Sequence, residues 1–434
     1  GLLFERFMNP ERADNPDIDC DFCAVGREKV IEYVTEKYGR ENVAQIATYG
    51  TMKAKAAVKD VGRTLGKSFD DMNTLSKLMP DNATIEKALE ESAELRDFVE
   101  KNNMDEVMEA AKMLEGLPRH TSMHAAGIVI TDGPTTEHVP LYKTNKDDIT
   151  TQFDKNYVED LGLLKMDFLG LRTLTVLTES LKLIKRDHNE DIRMDRIDYT
   201  DQDVFKVFDK GETVGVFQFE SSGMKRYLMQ LHPDSVEDLI AMNALYRPGP
   251  MDNIPTYIRR KHGEEESDFY HDDFKPILDT THGIMVYQEQ IMLLAQRMAG
   301  YSLGDADILR RAIGKKKLSV MQEQRDIFVE RSVNMGYKKK FAEDMFAIIE
   351  KFANYGFNKS HSAAYAILAY QTAYLKRYYP VEFMAANLTS EIGTNDRVRI
   401  LMDECRRMGI EVRLPSVQKS DWSFLVEGQD IRFA

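Results

Sequence analysis

The chain is poor in cysteine, with three in 434 residues. That excludes a disulfide-stapled scaffold and fits a reducing compartment. Long apolar runs are missing too. No stretch of about 18 apolar residues occurs, so no segment reads as a membrane span. Internal repeats and low-complexity tracts are absent. No initiator Met and no cleavable signal pattern precede Gly1-Leu2-Leu3-Phe4, which gives the expectation of a piece cut from a longer protein. Positive charge is in deficit: 58 Lys and Arg stand against 72 Asp and Glu, a net −14. A nucleic-acid binder usually leaves a basic footprint. A local basic groove on an acidic body still binds phosphates, because fields act over roughly 8–10 Å.

What is present is ordinary globular composition, 43% hydrophobic and 30% charged. The length argues for roughly two to four domains or subdomains. Asp17–Phe22 reads as a strand. Arg27 to Tyr38 reads as a helix with an apolar stripe of Val30, Ile31, Val34 and Tyr38, closed by Gly39. Residues 51–115 are helical in pattern and strongly acidic from Asp81 to Glu115. Ala125–Thr131 is a strand running into the turn Asp132-Gly133-Pro134, and Leu161–Gly170 is a second strand candidate. Strands on both sides of a helical block predict one sheet domain with a helical insertion. From Arg172 to the end helical patterns dominate, broken at Tyr246–Pro250 and by turns at Gly304, Gly314 and Gly356.

The segment NPDIDCDFC, Asn15 to Cys23, raises a choice between carboxylate and thiol chemistry. On a strand Asp17, Asp19 and Asp21 share one face and Ile18, Cys20 and Phe22 the other. Aspartate is disfavoured in strands and like charges repel, so two hard cations such as Mg²⁺ give the pattern a reason. A solvated strand face or an Asx-rich turn after Pro16 is the plain alternative. Zinc or redox use of the CxxC is the weaker reading. Structural zinc takes about four ligands, and Cys405 lies far off in a helical context. Asp167 sits in the otherwise apolar run Leu161–Leu169, where a lone carboxylate is costly unless it is paired or metal-bound. Lys165 shares its face, either to meet a phosphate oxygen or as half of a buried ion pair.

Farther along, Arg310-Arg311-Ala312-Ile313-Gly314-Lys315-Lys316-Lys317 carries five positive charges and no negative one. Cations at a helix C-terminus explain it plainly; a phosphate contact explains it more sharply. Tyr355–Ser362 sets aromatic, amide, cation and hydroxyl groups in a row after Gly356, a combination that can stack on a base and donate to phosphates. His361 reads as structural or functional with equal ease.

The motifs LLFERFMNPERADNPDIDCDF, TYGTMKAKAAVKDVGR, KMDFLGLRTL, YRPGPM, YQEQ, LRRAIGKKK and YGFNKSHSAAYA, in this order, resemble the bacterial DNA polymerase III alpha subunits, the C-family replicative DNA polymerases. The resemblance runs from Leu2 to about Phe433 and is to the type without an internal exonuclease insertion. It implies an α+β fold: a palm like that of the polymerase beta-like nucleotidyltransferases at residues 1–48 and 123–172, a helical thumb inserted at 49–122, and large, mainly helical fingers at 173–434. The activity implied is DNA-directed DNA polymerase, a nucleotidyl transfer with two Mg²⁺ ions. The family's catalytic and metal-binding aspartates fall on Asp17, Asp19 and Asp167. Nucleotide and phosphate contacts fall on Arg6, Arg12 and Lys165, with Arg310, Arg311, Asn358, Lys359, Ser360 and His361 on the fingers. Asp21, Arg119 and His124 match family segments but take no assigned role.

Primer–template DNA and dNTP are the implied partners. For the longer protein the resemblance adds a sliding clamp, a clamp loader and a proofreading exonuclease subunit, in the cytoplasm and with no membrane. The family's Gly/Ser-rich segment before LLFERF, its N-terminal phosphoesterase-like domain and its regions after the fingers have no counterpart here. The expectation is therefore a core with weak or no activity alone. Two rivals remain: a two-metal phosphohydrolase or nuclease on the same aspartates, and a non-catalytic DNA- or nucleotide-binding module.

Overall fold

The computed structural model describes residues 6–8, 16, 18–144, 149–314, 318–353 and 355–434. The fold is mixed α+β and divides into two compact units. One unit is Asp17–Phe22 with Gly26–Gly170; the other is Gly1–Pro16, Cys23–Val25 and Leu171–Ala434.

The first unit is built on β1 (Ile18–Cys23), α1 (Arg27–Tyr38) and β2 (Val43–Thr51). Five helices follow: α2 (Ala54–Thr64), α3 (Phe69–Leu78), α4 (Ile85–Glu91), α5 (Ala93–Lys101) and α6 (Asp105–Leu114). The chain then returns through β3 (Pro118–Ile130), β4 (Leu141–Lys143), β5 (Ile149–Thr151), α7 (Lys155–Asp160) and β6 (Lys165–Leu171). The strands form one sheet in the order β1-β6-β3-β2-β5-β4. Antiparallel pairing of β3 with β6 sets Gly127 opposite Asp167. Ile31 and Val34 of α1 pack with Cys20, Phe22, Ile128 and Phe168; a second small core joins Ile46, Val129 and Val158. The five inserted helices bury their own core, including Val58, Leu75, Ile85, Leu95 and Val107. Ser68, Thr84 and Ser92 cap α3, α4 and α5 by accepting backbone N–H bonds, which satisfies groups a helix start otherwise leaves unpaired.

Several expected boundaries move. The strand expected at Ala125–Thr131 begins at Pro118. Its first half is polar, and backbone pairing with β2 makes it a strand without an apolar face. Leu161–Leu164 is not strand: Gly162 at φ 81° closes α7, and β6 starts at Lys165. Tyr38, expected in the apolar stripe of α1, is exposed.

The second unit runs α8 (Arg172–His188), α9 (Gln202–Asp209), α10 (Ser222–Leu231), α11 (Val236–Leu245), α12 (Ile254–Lys261) and α13 (Lys275–Leu278). It continues with α14 (Gln288–Ala299), α15 (Leu303–Gly314), α16 (Leu318–Asn334), α17 (Lys339–Ala353), α18 (Lys359–Tyr378), α19 (Pro380–Ser390) and α20 (Asn395–Arg407). A small sheet, β7 (Val412–Arg413), β8 (Leu425–Glu427) and β9 (Asp430–Arg432), follows the helices and was not foreseen. Gly304, expected as a turn, lies inside α15. Among the described residues no helix is long and apolar enough to cross a membrane.

Candidate functional site

β6 holds a carboxylate that the sheet does not use. Lys165 and Asp167 project from one face, two residues apart, and Lys165 Nζ donates to Asp167 Oδ2 at 2.6 Å. Their side chains are 10% and 15% exposed. The other oxygen, Asp167 Oδ1, is buried and has no hydrogen-bond partner among the described residues. A buried acceptor left so is costly unless something outside the protein meets it. The adjacent strand β1 carries Asp19, which is exposed, and Asp21, while Cys20 and Phe22 turn into the core. The carboxylates of β1 and β6 are oxygen donors of the kind a hard divalent cation takes, and the orphaned Oδ1 fits that use. Asp17, foreseen as a third ligand, lies outside the described residues, as does Arg12. Among the described residues no three His, Cys, Asp or Glu side chains gather at a metal-binding distance.

The space beside Asp167 is tight. His124 Nδ1 accepts from the backbone N–H groups of Gly127 at 2.7 Å and Ala126 at 3.2 Å, so in the neutral ring the proton sits on Nε2. A Cβ on Gly127 would come within 2.9 Å of His124 Nδ1, 3.1 Å of Ile46 Cδ1 and 3.3 Å of Asp167 Oδ1. Gly127→Ala is therefore expected to destabilise the protein by about 1–3 kcal/mol, the usual range for overpacking. Thermal denaturation followed by circular dichroism reads it; an unchanged melting temperature would mean that the neighbours yield freely.

The thiols have other occupations. Cys20 packs in the apolar core beside Phe168, and burial, aided by Asp19 and Asp21, pushes its thiol up. Cys23 Sγ lies 3.3 Å from Thr175 Oγ1. Arg119 pairs with Asp60 of α2 at 2.8 Å.

The foreseen cations of the second unit fall into two groups. Arg6 donates through Nε and a terminal nitrogen to Gln288 Oε1, at 3.1 and 2.9 Å. Gln288 in turn donates its backbone N–H to Phe357 O and its amide to Gly356 O, so Arg6 is tied to the turn before α18. Asn358 is the N-cap of α18 and accepts from His361 N at 2.9 Å. Lys359 turns inward: its Nζ is 3.2 Å from Glu237 and 5.1 Å from the centre of the Tyr287 ring. Ser360 Oγ is buried without a partner among the described residues, and His361 is exposed and stacked on Tyr365 at 4.2 Å. The other group is Arg310 and Arg311 on α15, both ion-paired to Asp307, whose side chain is 1% exposed, at 2.8 and 3.2 Å. Lys315–Lys317 lie outside the described residues.

Comparison with known proteins decides what this set belongs to. Residues 1–170 match the family model described as the bacterial DNA polymerase III alpha NTPase domain, and residues 173–336 match the bacterial DNA polymerase III alpha subunit finger domain. The chain is 47% identical over 436 residues to the DNA polymerase III subunit alpha of Bacillus subtilis and 49% identical over 443 residues to that of Thermus aquaticus. The chain belongs to the bacterial DNA polymerase III alpha subunit family. Both alignments cover all of this chain but only 39% and 36% of the relatives' length.

Against the polymerase III alpha background, three residues were missed by the sequence reading. Arg247, of the YRPGPM motif, lies 4.3 Å over the Phe357 ring and donates to Tyr355 O at 2.7 Å. Burial lowers the pKa of its guanidinium. Gln288, of YQEQ, anchors Arg6. Asp307 joins Arg310 to Arg311. Only Asp307 had a local signal, a carboxylate three and four positions before two arginines on one helix.

Proposed function

We propose that this chain is the catalytic core of a replicative DNA polymerase, carrying out template-directed transfer of a nucleotidyl group from dNTP to a primer 3′-hydroxyl with release of pyrophosphate. One observation carries the reading: a buried carboxylate with an oxygen that no described residue meets, beside a strand bearing Asp19, in a polymerase III alpha chain. On this reading residues 1–48 and 123–172 are the palm, 49–122 the thumb and 173–434 the fingers. Asp17, Asp19 and Asp167 would hold two Mg²⁺ ions. Bound there, such ions supply activation of the hydroxyl and charge neutralisation on the phosphates.

The chain's own residues do the positioning. Lys165, held by Asp167, presents its ammonium to a phosphate oxygen beside the carboxylates. Arg6, Arg12, Arg310 and Arg311 neutralise the triphosphate as charge develops on it. Asn358 fixes the start of α18, where the exposed His361 is met by the incoming nucleotide, and Lys359 reaches a phosphate only by leaving Glu237 and Tyr287. Primer–template DNA and dNTP are the substrates. In the longer protein a sliding clamp, a clamp loader and a proofreading exonuclease subunit are the partners, and the cytoplasm is the compartment.

The test is extension of a labelled primer by the longer protein that contains this chain, with Mg²⁺ and all four dNTPs, beside a lane without dNTP. Nucleotide-dependent lengthening supports the reading; nucleotide-independent shortening replaces it with a nuclease. Asp307 offers a sharper prediction. Asp307→Asn loosens both arginines and is expected to raise KM for dNTP about 10-fold, equivalent to about 1.4 kcal/mol of binding, with kcat little changed. Single-nucleotide incorporation kinetics measure it; a loss confined to kcat would remove the arginines from nucleotide binding.

A further inference from the structure

The larger unit contains a cavity of about 320 Å³ between the first turn of α8, the segment 215–221 and the end of α19. That is the lower end of ligand-pocket volumes, roughly 300–1,000 Å³, and suits one small heterocycle. Its rim alternates in charge. Arg172 pairs with Glu391 at 2.6 Å and Arg397 with Glu220 at 2.5 Å, while Arg397 Nε stands 3.9 Å from Glu391. An anion entering here meets two carboxylates and a cation meets two guanidiniums. A neutral ligand with donors and acceptors along its edge meets a partner for each.

Phe217 adds an aromatic surface to the lining, the kind of surface on which a flat ring stacks. Its ring is 5.1 Å from that of Tyr365, which stacks on His361 in the first turn of α18. Gln218, also lining the cavity, sits in the left-handed region at φ 65°. A residue with a Cβ adopts that conformation at a cost, and such strain gathers at binding sites. Its amide brings both a donor and an acceptor.

We propose that this cavity receives a single unpaired nucleobase. The aromatic row running to α18 favours the template strand as the source, a preference that rests on the polymerase reading; a free nucleoside offers the same chemistry.

The test uses the 434-residue chain and the fluorescent base 2-aminopurine in two arms. In one it is the first unpaired template residue of a primed DNA; in the other it is the free riboside. Emission is expected to change with protein in the DNA arm. Arg397→Met and Gln218→Ala should each weaken that response about 5-fold or more, within the range for loss of a base contact. Overall DNA binding, read by anisotropy, should stay within about 2-fold, and Gln218→Gly, which relieves the backbone strain, should keep the fold. A response to the riboside alone that both variants abolish keeps the nucleobase site and removes the template as its source. Emission unchanged in both arms, or equal in the variants, overturns the proposal. If anisotropy shows no DNA binding at all, the polymerase reading fails, and the riboside arm decides the cavity by itself.

Discussion

In the longer protein that contains this chain, Asp167→Ala should reduce primer extension by about a thousandfold or more, equivalent to about 4 kcal/mol of transition-state stabilisation. The substitution removes both the anion 2.6 Å from Lys165 and the buried oxygen that lacks a partner among the described residues. Asp167→Asn separates charge from shape. Its carbonyl still accepts from Lys165, so the fold should persist while extension falls as far, because a neutral amide is a poor ligand for a hard cation. Asp19→Ala, at an exposed position of β1, should cost as much activity with almost no change in melting temperature. Extension assays, thermal melts and DNA-binding anisotropy on the three variants measure this together. Extension at a tenth of wild type or better in any of them would take that carboxylate out of the chemistry.

The alternation of apolar and acidic residues in β1 was legible because a strand's period of two leaves no other way to bury Cys20 and Phe22. The same period sets Lys165 beside Asp167 on one face of β6. Helix α1 and the run of helices between β2 and β3 were legible for a similar reason: their apolar residues recur at helical spacing. The polar half of β3 was not, since its order comes from backbone pairing with β2, which no side-chain pattern records. The short strands β7–β9 escaped for want of length, at two or three residues each.

At the candidate site the long-range ties were invisible. Arg6 and Gln288 are 282 positions apart, and nothing local says that one anchors the other. Lys359 looked like a solvent-facing phosphate contact. The fold turns it to Glu237 and Tyr287, so a nucleotide would have to compete with both for its ammonium.

Lys376→Met should cause the largest loss of stability. Lys376 is 3% exposed in the second half of α18, and its ammonium donates to Glu212 O, Val214 O and Glu404 Oε1 at 2.6–2.7 Å. Methionine fills the volume but leaves two carbonyls and a buried carboxylate without their donor. Breaking a buried pair from one side costs about 3–5 kcal/mol, a fall in melting temperature on the order of 10 °C. Glu404 also accepts from Arg407 at 2.8 and 2.9 Å. Burial alone would raise its pKa, but the bonds from Arg407 and Lys376 outweigh burial and hold it below the usual 4.5.

A carboxyl depressed in the folded state adds stability that is present above its unfolded pKa and is lost as pH falls through the folded value. Burial pushes the Lys376 ammonium down. Urea denaturation at pH 7 and at about pH 4 should show Glu404→Gln losing less stability on acidification than wild type; equal losses would remove Glu404 from the acid response. The segment carrying Glu212 and Val214 runs directly into the cavity wall at Gly215, Phe217 and Gln218. Loss of the Lys376 ammonium should therefore loosen that wall as well as the core, and the 2-aminopurine signal in Lys376→Met should fall at temperatures where the chain is still folded.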